Sequence, residues 1–116
     1  MKLVDTSVLI NWLRKEELRE GCVSIITLIE ILRGVPAHKR REVKQALEKI
    51  YTVIPMDNEV IQEYCNLYEA LKRRGIKISD ADLLIAASAK AKNLTVVTAD
   101  KGFERLRELG IKIEIE

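Results

Sequence analysis

Residues 81–115 read ADLLIAASAKAKNLTVVTADKGFERLRELGIKIEI, and the order of elements in this stretch decides the fold class. Ala81–Lys92 is rich in alanine and reads as a helix, and Leu94–Val97 is an apolar, β-branched strand. Lys101–Leu109 returns to helical spacing and stops at Gly110, after which Ile111–Ile115 alternates apolar and charged residues as a last strand. Strands alternating with helices over short connections are the rhythm of an α/β domain with a parallel sheet.

The same alternation extends upstream. Lys2–Val4 is a short first strand, and the apolar run Cys22–Ile26 passes into a helix over Thr27–Arg33 that Gly34 and Pro36 close. Val43, Ala46, Leu47 and Ile50 recur at helical spacing within Ala37–Ile50, and Thr52–Ile54 is a strand ended by Pro55. Val60, Ile61, Tyr64, Cys65, Leu67, Tyr68 and Leu71 mark an amphipathic helix stopped at Gly75. No linker or repeat interrupts the pattern, so residues 1–116 are expected to form a single domain.

Composition removes several classes of function. The chain is 47% hydrophobic and 33% charged, too regular in its apolar segments for disorder. Its 20 basic and 18 acidic residues leave +2, so any polyanion must be met by local patches. No apolar run approaches the ~18 residues that span a bilayer, and an acid at position 5 comes too early for a secretory leader; a cytoplasmic protein is expected. Cys22 and Cys65 lie far apart beside a single histidine, which excludes a Cys/His zinc site. Apolar neighbours make core thiols the expectation for both.

Ligands of parallel α/β sheets bind outside the carboxyl ends of the strands, and acids stand there. Asp5 follows Leu3-Val4, and Asp100 follows Val96-Val97-Thr98-Ala99. Each has two readings, a helix N-cap or a functional carboxylate. Glu30 lies in Ile25-Ile26-Thr27-Leu28-Ile29-Glu30-Ile31-Leu32, apolar on nearly every side. A carboxylate there needs a capping box with Thr27, an ion pair with Arg33, or a metal. Asp82, in Ser79-Asp80-Ala81-Asp82, is either the partner of Ser79 in a capping box or an acid aimed at the cleft; Asp80 is a cap or a supporting acid. Carboxylates gathered together raise one another's pKa unless a cation lies between them. Hard oxygen donors of this kind suit Mg²⁺ or Mn²⁺, and such ions serve phosphate-ester cleavage.

These residues, in this order, resemble the PIN-domain nucleases, most closely the small VapC-type toxins of prokaryotic toxin–antitoxin pairs. The resemblance is carried by Leu3–Ile10, Ser24–Gly34, Asp82–Ala87 and Val96–Phe103, and covers essentially the whole chain. It implies a three-layer α/β/α fold with a central five-stranded parallel sheet. It also implies that Asp5, Glu30, Asp82 and Asp100 form an acidic quartet holding Mg²⁺ or Mn²⁺, with Thr6, Ser7 and Thr98 as supporting hydroxyls. The implied reaction is water attack on an RNA phosphodiester, leaving a 5′-phosphate and a 3′-hydroxyl. An antitoxin would cover the cleft, with a basic side chain among the acids. The alternative within this resemblance is an inactive PIN-like scaffold that binds RNA or protein.

Two basic clusters are candidates for the RNA backbone: Lys39, Arg40, Arg41 and Lys44, then Lys72, Arg73, Arg74 and Lys77. Their competing reading is a solvated helix face balanced by nearby glutamates. With aromatics at 4%, no broad base-stacking platform is expected, and Trp12, Tyr51, Tyr64 and Tyr68 read as core or interface residues. Apolar helix faces beyond the needs of one small core favour a homodimer.

Overall fold

The computed structural model describes residues 1–116. In chain order the elements are β1 (Lys2–Val4), α1 (Thr6–Arg14), β2 (Gly21–Ser24) and α2 (Ile25–Arg33). A 3₁₀ turn (Ala37–Lys39) leads into α3 (Arg40–Ile50), β3 (Tyr51–Ile54), α4 (Asn58–Arg74) and α5 (Asp80–Ala91). The chain finishes with β4 (Thr95–Thr98), a 3₁₀ helix (Lys101–Leu109) and β5 (Lys112–Ile115).

The five strands form one parallel sheet in the order β3-β2-β1-β4-β5. Successive residues of a strand face opposite ways, and the core divides accordingly. Leu3, Cys22 and Val96 join α4, α5 and the 3₁₀ helix in one apolar cluster. Val4, Val23 and Val97 join α1, Leu28 of α2 and Leu47 of α3 in the other. This is the expected three-layer arrangement. The strand order reverses direction at β1, whose neighbours are β2 and β4. A crevice outside the carboxyl ends of β1 and β4 follows from that reversal.

Local chemistry explains most element boundaries. Ser24, not Thr27, caps α2, its hydroxyl accepting the Ile26 N–H at 3.1 Å. The helix therefore starts at Ile25, two residues before the expected position, and the Thr27–Glu30 capping box does not form. Thr27 is fully buried within the helix instead. Gly75 adopts φ 67° to end α4, a conformation glycine takes without steric cost. Lys101–Leu109 is helical as expected but winds as 3₁₀ over nine residues, longer than such helices usually run. Phe103, Leu106 and Leu109 explain it: at three residues per turn they form one line, which packs into the core.

Other expectations are corrected by burial. Cys22 is a core thiol, whereas Cys65 is exposed on α4. The helix around Glu30 is not enclosed on all sides, because Ile29 is 54% exposed and only Thr27 and Leu28 of α2 are buried. Trp12 and Tyr51 belong to the core, while Tyr68 is 51% exposed. No helix is long and apolar enough to cross a membrane.

The Tyr51 hydroxyl is buried without a hydrogen-bond partner, and an unsatisfied buried polar group costs about 1–3 kcal/mol. Tyr51→Phe is therefore expected to stabilise the fold by about 1 kcal/mol, read as a raised denaturant midpoint at unchanged m-value. A loss of stability would mean that the hydroxyl has a partner in solution.

Candidate active site

Asp5 leaves β1 and caps α1 at once. Its Oδ1 accepts the Val8 N–H at 3.0 Å and the Ser7 hydroxyl at 3.3 Å. Its Oδ2 accepts the Thr98 hydroxyl from the neighbouring strand. Asp5 is therefore the N-cap of α1, with its second oxygen held by β4. Burial, with the charge of Asp100 adding, pushes the Asp5 carboxyl above its ordinary value against the pull of these hydrogen bonds.

Thr98 is a junction. Fully buried at the end of β4, it donates to Asp5 and accepts the Asp100 N–H at 3.0 Å. The parallel pairing of Val4 with Val97 places Thr98 beside Asp5 across 93 residues of sequence. Asp100 caps the 3₁₀ helix, its Oδ1 accepting the Gly102 N–H at 2.8 Å. On the other side of Asp5, the Thr6 hydroxyl donates to Glu30 Oε1 at 2.6 Å and lies 3.0 Å from the Thr27 hydroxyl. Glu30 Oε2 is 3.8 Å from the guanidinium of Arg33, which is largely in solvent.

Ser79 caps α5 by accepting the Asp82 N–H at 3.2 Å. Asp82 is therefore one turn into the helix, partly buried, and its carboxyl is pushed up. Burial is the main cause, opposed by Ser79, and the charges of Asp100, Asp5 and Glu30 all push the same way. Asp82 thus senses acids brought in by β1, α2 and the loop after β4. Asp80 does not join them: its Oδ1 accepts the Tyr64 hydroxyl at 2.9 Å.

Asp82 and Asp100 line a cavity of about 200 Å³ whose rim carries Lys77 and Arg105. Arg105 is held by Nε donation to the Gly102 carbonyl at 3.0 Å. Nothing in the local sequence singles it out, because its approach to the acids depends on the 3₁₀ winding after Asp100. Of the eight basic residues in the two clusters, only Lys77 lines this cavity. Arg40 instead donates to the carbonyls of Leu32, in the last turn of α2, and of Val35 just beyond it, and Lys44 pairs with Glu48. Arg73 and Arg74 pair with Glu69 and Glu108.

The donor set is that of a hard cation: carboxylates and hydroxyls, without thiolate or imidazole. The like charges of Asp100, Asp5 and Glu30 acting on Asp82 fit a divalent ion. As the side chains stand, no three acids close into a cage around one point.

Residues 2–109 match the family model described as the PIN domain. "Ribonuclease VapC1" of Methanocaldococcus jannaschii is 44% identical over 115 residues, covering 96% of this chain and 85% of the relative. A crystal structure of DNA-bound VapBC from Salmonella typhimurium aligns with TM-score 0.81 at 25% identity, over 99% of this chain and 98% of that one. VapBC-5 from Mycobacterium tuberculosis, described as a member of the VapBC family of toxin–antitoxin systems, aligns with TM-score 0.72 at 26% identity, over 98% and 95%. With its strand order, its acids at the strand ends and this similarity along nearly its whole length, the chain belongs to the PIN-domain family.

Proposed function

We propose that this chain, residues 1–116 as one nuclease domain, is an endoribonuclease toxin whose activity depends on Mg²⁺ or Mn²⁺. Its partners in this reading are an RNA substrate and an inhibitory antitoxin. The similarity to a VapC ribonuclease and to chains of toxin–antitoxin complexes supports the class of activity and of partner. One arrangement carries the chemistry: the Thr98 hydroxyl ties Asp5 to the backbone of Asp100, and Asp82, pushed up first by burial, is pushed further by the charges of Asp100, Asp5 and Glu30. A fold gathers repelling carboxylates from separate elements at a cost, which a bound cation offsets.

Asp5, Glu30, Asp82 and Asp100 would hold the ion. When bound, it supplies positive charge opposite the phosphodiester and acidifies a water for attack. The rest falls to the chain's own side chains. Thr98 and Ser7 fix the Asp5 carboxylate, and Thr6 fixes Glu30. Lys77 and Arg105, at the cavity rim, neutralise phosphate oxygens of the incoming strand. Water adds to phosphorus, the bond to the 3′ oxygen breaks, and that oxygen leaves as a hydroxyl, the new 5′ end keeping the phosphate. No side chain forms a covalent intermediate.

The test is cleavage of a pool of structured RNAs by the purified protein in Mn²⁺, beside reactions with EDTA or with Asp5→Asn. Cleavage by the wild type that both controls abolish is expected, with 5′-phosphate ends on the fragments. Cleavage that survives EDTA would remove the metal from the mechanism. Folded wild type that cuts nothing while still binding RNA would favour the non-catalytic scaffold.

A further inference from the structure

Next to the acidic cavity lies a larger, apolar space. A groove of about 400 Å³ runs between the C-terminal end of α4 and the start of α5. Leu71, Ile76 and Leu83 line it together with the ring of Tyr68. Lys77 and Ile78 line both spaces, so the groove adjoins the carboxylates directly. A volume of this size is within the range of sites that enclose a small molecule.

The aromatic wall is built rather than incidental. Tyr68, half in solvent, stacks on Tyr64 with ring centroids 6.1 Å apart and planes 27° from parallel. Tyr64 does not line the groove and is anchored by its hydrogen bond to Asp80. An anchored aromatic behind an exposed one is a preorganised stacking surface, and stacking tolerates any base because every base has a π-face.

Charge completes the match. Lys72 and Lys77 line the groove and form no ion pair with Asp80, the one carboxylate of its lining, which accepts the Tyr64 hydroxyl, whereas their neighbours Arg73 and Arg74 are tied to Glu69 and Glu108. An apolar slot with one stacking ring and two unpaired ammonium groups against one carboxylate suits a flat, apolar-faced group between anions. An apolar protein segment would fill the slot but bring no anion to the two lysines, which Asp80 alone does not balance.

We infer that this groove holds one unpaired nucleobase adjoining the cleaved phosphodiester, with Tyr68 as its stacking surface and Lys72 and Lys77 on the flanking phosphates. The inference rests on the ribonuclease reading and adds to it a requirement for a single-stranded nucleotide at a set position. It also agrees with an aromatic content too low for a broad platform, since one base needs one ring.

The test uses single-stranded RNAs carrying 2-aminopurine at successive positions around the cleaved bond. They are titrated against full-length Asp5→Asn protein, so that binding is read without cleavage. Quenching is expected at one position. Tyr68→Ala in that background should abolish the quenching and weaken binding by about tenfold or more, from the usual contribution of a base–aromatic stack. Tyr68→Phe should retain both. In cleavage assays with Asp5 restored, Tyr68→Ala should raise KM far more than it lowers kcat, with the melting temperature unchanged. RNA bound and cut equally well by Tyr68→Ala would overturn the inference while leaving the ribonuclease reading in place. RNA neither bound nor cut by the wild type would remove both.

Discussion

Asp82→Asn is expected to lower RNA cleavage by about a thousandfold while leaving the metal-free protein as stable as the wild type, or more stable. The loss follows from the several kcal/mol that a correctly held divalent ion contributes to a phosphoryl transition state, at about 1.4 kcal/mol per factor of ten. The stability follows from the direction of the Asp82 shift. Its folded pKa lies above the ordinary value of 3.8 because of burial and of the charges of Asp100, Asp5 and Glu30. Between those two values the folded state binds more protons than the unfolded state, so stability falls as pH rises through that window. Above the folded pKa the penalty is complete, and asparagine does not incur it. Opposing this, a negative charge near a helix N-terminus is worth about 0.3–1 kcal/mol. The Ser79 hydroxyl, which accepts the Asp82 N–H, is untouched by the substitution and continues to cap α5.

Two measurements separate this from a merely structural role for Asp82. Mn²⁺ in excess should raise the melting temperature of the wild type by mass action, and that of Asp82→Asn less. The fall in metal-free stability above pH 3.8 should be shallower in the variant. Destabilisation of Asp82→Asn by more than about 1 kcal/mol at neutral pH, the usual effect of losing a cap, would return Asp82 to a structural role.

Thr98→Val is expected to damage both stability and cleavage, though it keeps the shape of the side chain. Thr98 is fully buried, and its hydroxyl serves two groups, donating to Asp5 and accepting the Asp100 N–H. Valine leaves a buried carboxylate oxygen and a backbone donor unsatisfied together. Hydrogen bonds to charged groups contribute about 1.5–3 kcal/mol, so a loss of about 2–3 kcal/mol at neutral pH is expected in denaturant unfolding. The Thr98 bond holds the Asp5 pKa down against burial; without it that pKa rises further. The loss should therefore be largest above the folded pKa of Asp5 and shrink as acid protonates the carboxyl. Cleavage should fall about 10–100-fold, the usual cost of removing a group that orients a metal-binding carboxylate. Thr98→Ser keeps the hydroxyl and should restore most of the activity. Thr98→Val that cuts at the wild-type rate would mean that Asp5 needs no orientation from β4.

Much of this was legible in one dimension. Leu94–Val97, Ile111–Ile115 and the alanine-rich helix before them announce an α/β sheet, because helical and strand periodicities are local properties of a few successive residues. Asp5 and Asp100 stood out at strand ends, and Glu30 as a carboxylate in an apolar run. Boundaries were less legible. Ser24 outcompeted Thr27 for the start of α2, and both residues cap well in isolation. The exposure of Cys65 depends on which arc of α4 faces α5, which its own neighbours do not specify.

The sequence alone determined what kind of sheet forms and which acids stand at its strand ends, since each of those follows from neighbours within a turn or a strand. Only the tertiary structure decided which of those acids meet. The strand order β3-β2-β1-β4-β5 sets β4 beside β1 and so joins Thr98 to Asp5. The packing of α4 on α5 draws Asp80 to Tyr64, leaving Asp82 to sense the other three acids. The same packing opens the groove beneath Tyr68. Pairings across so much sequence depend on which strands become neighbours, and that is settled by burying both faces of one sheet together, a property of the whole chain and of no single segment.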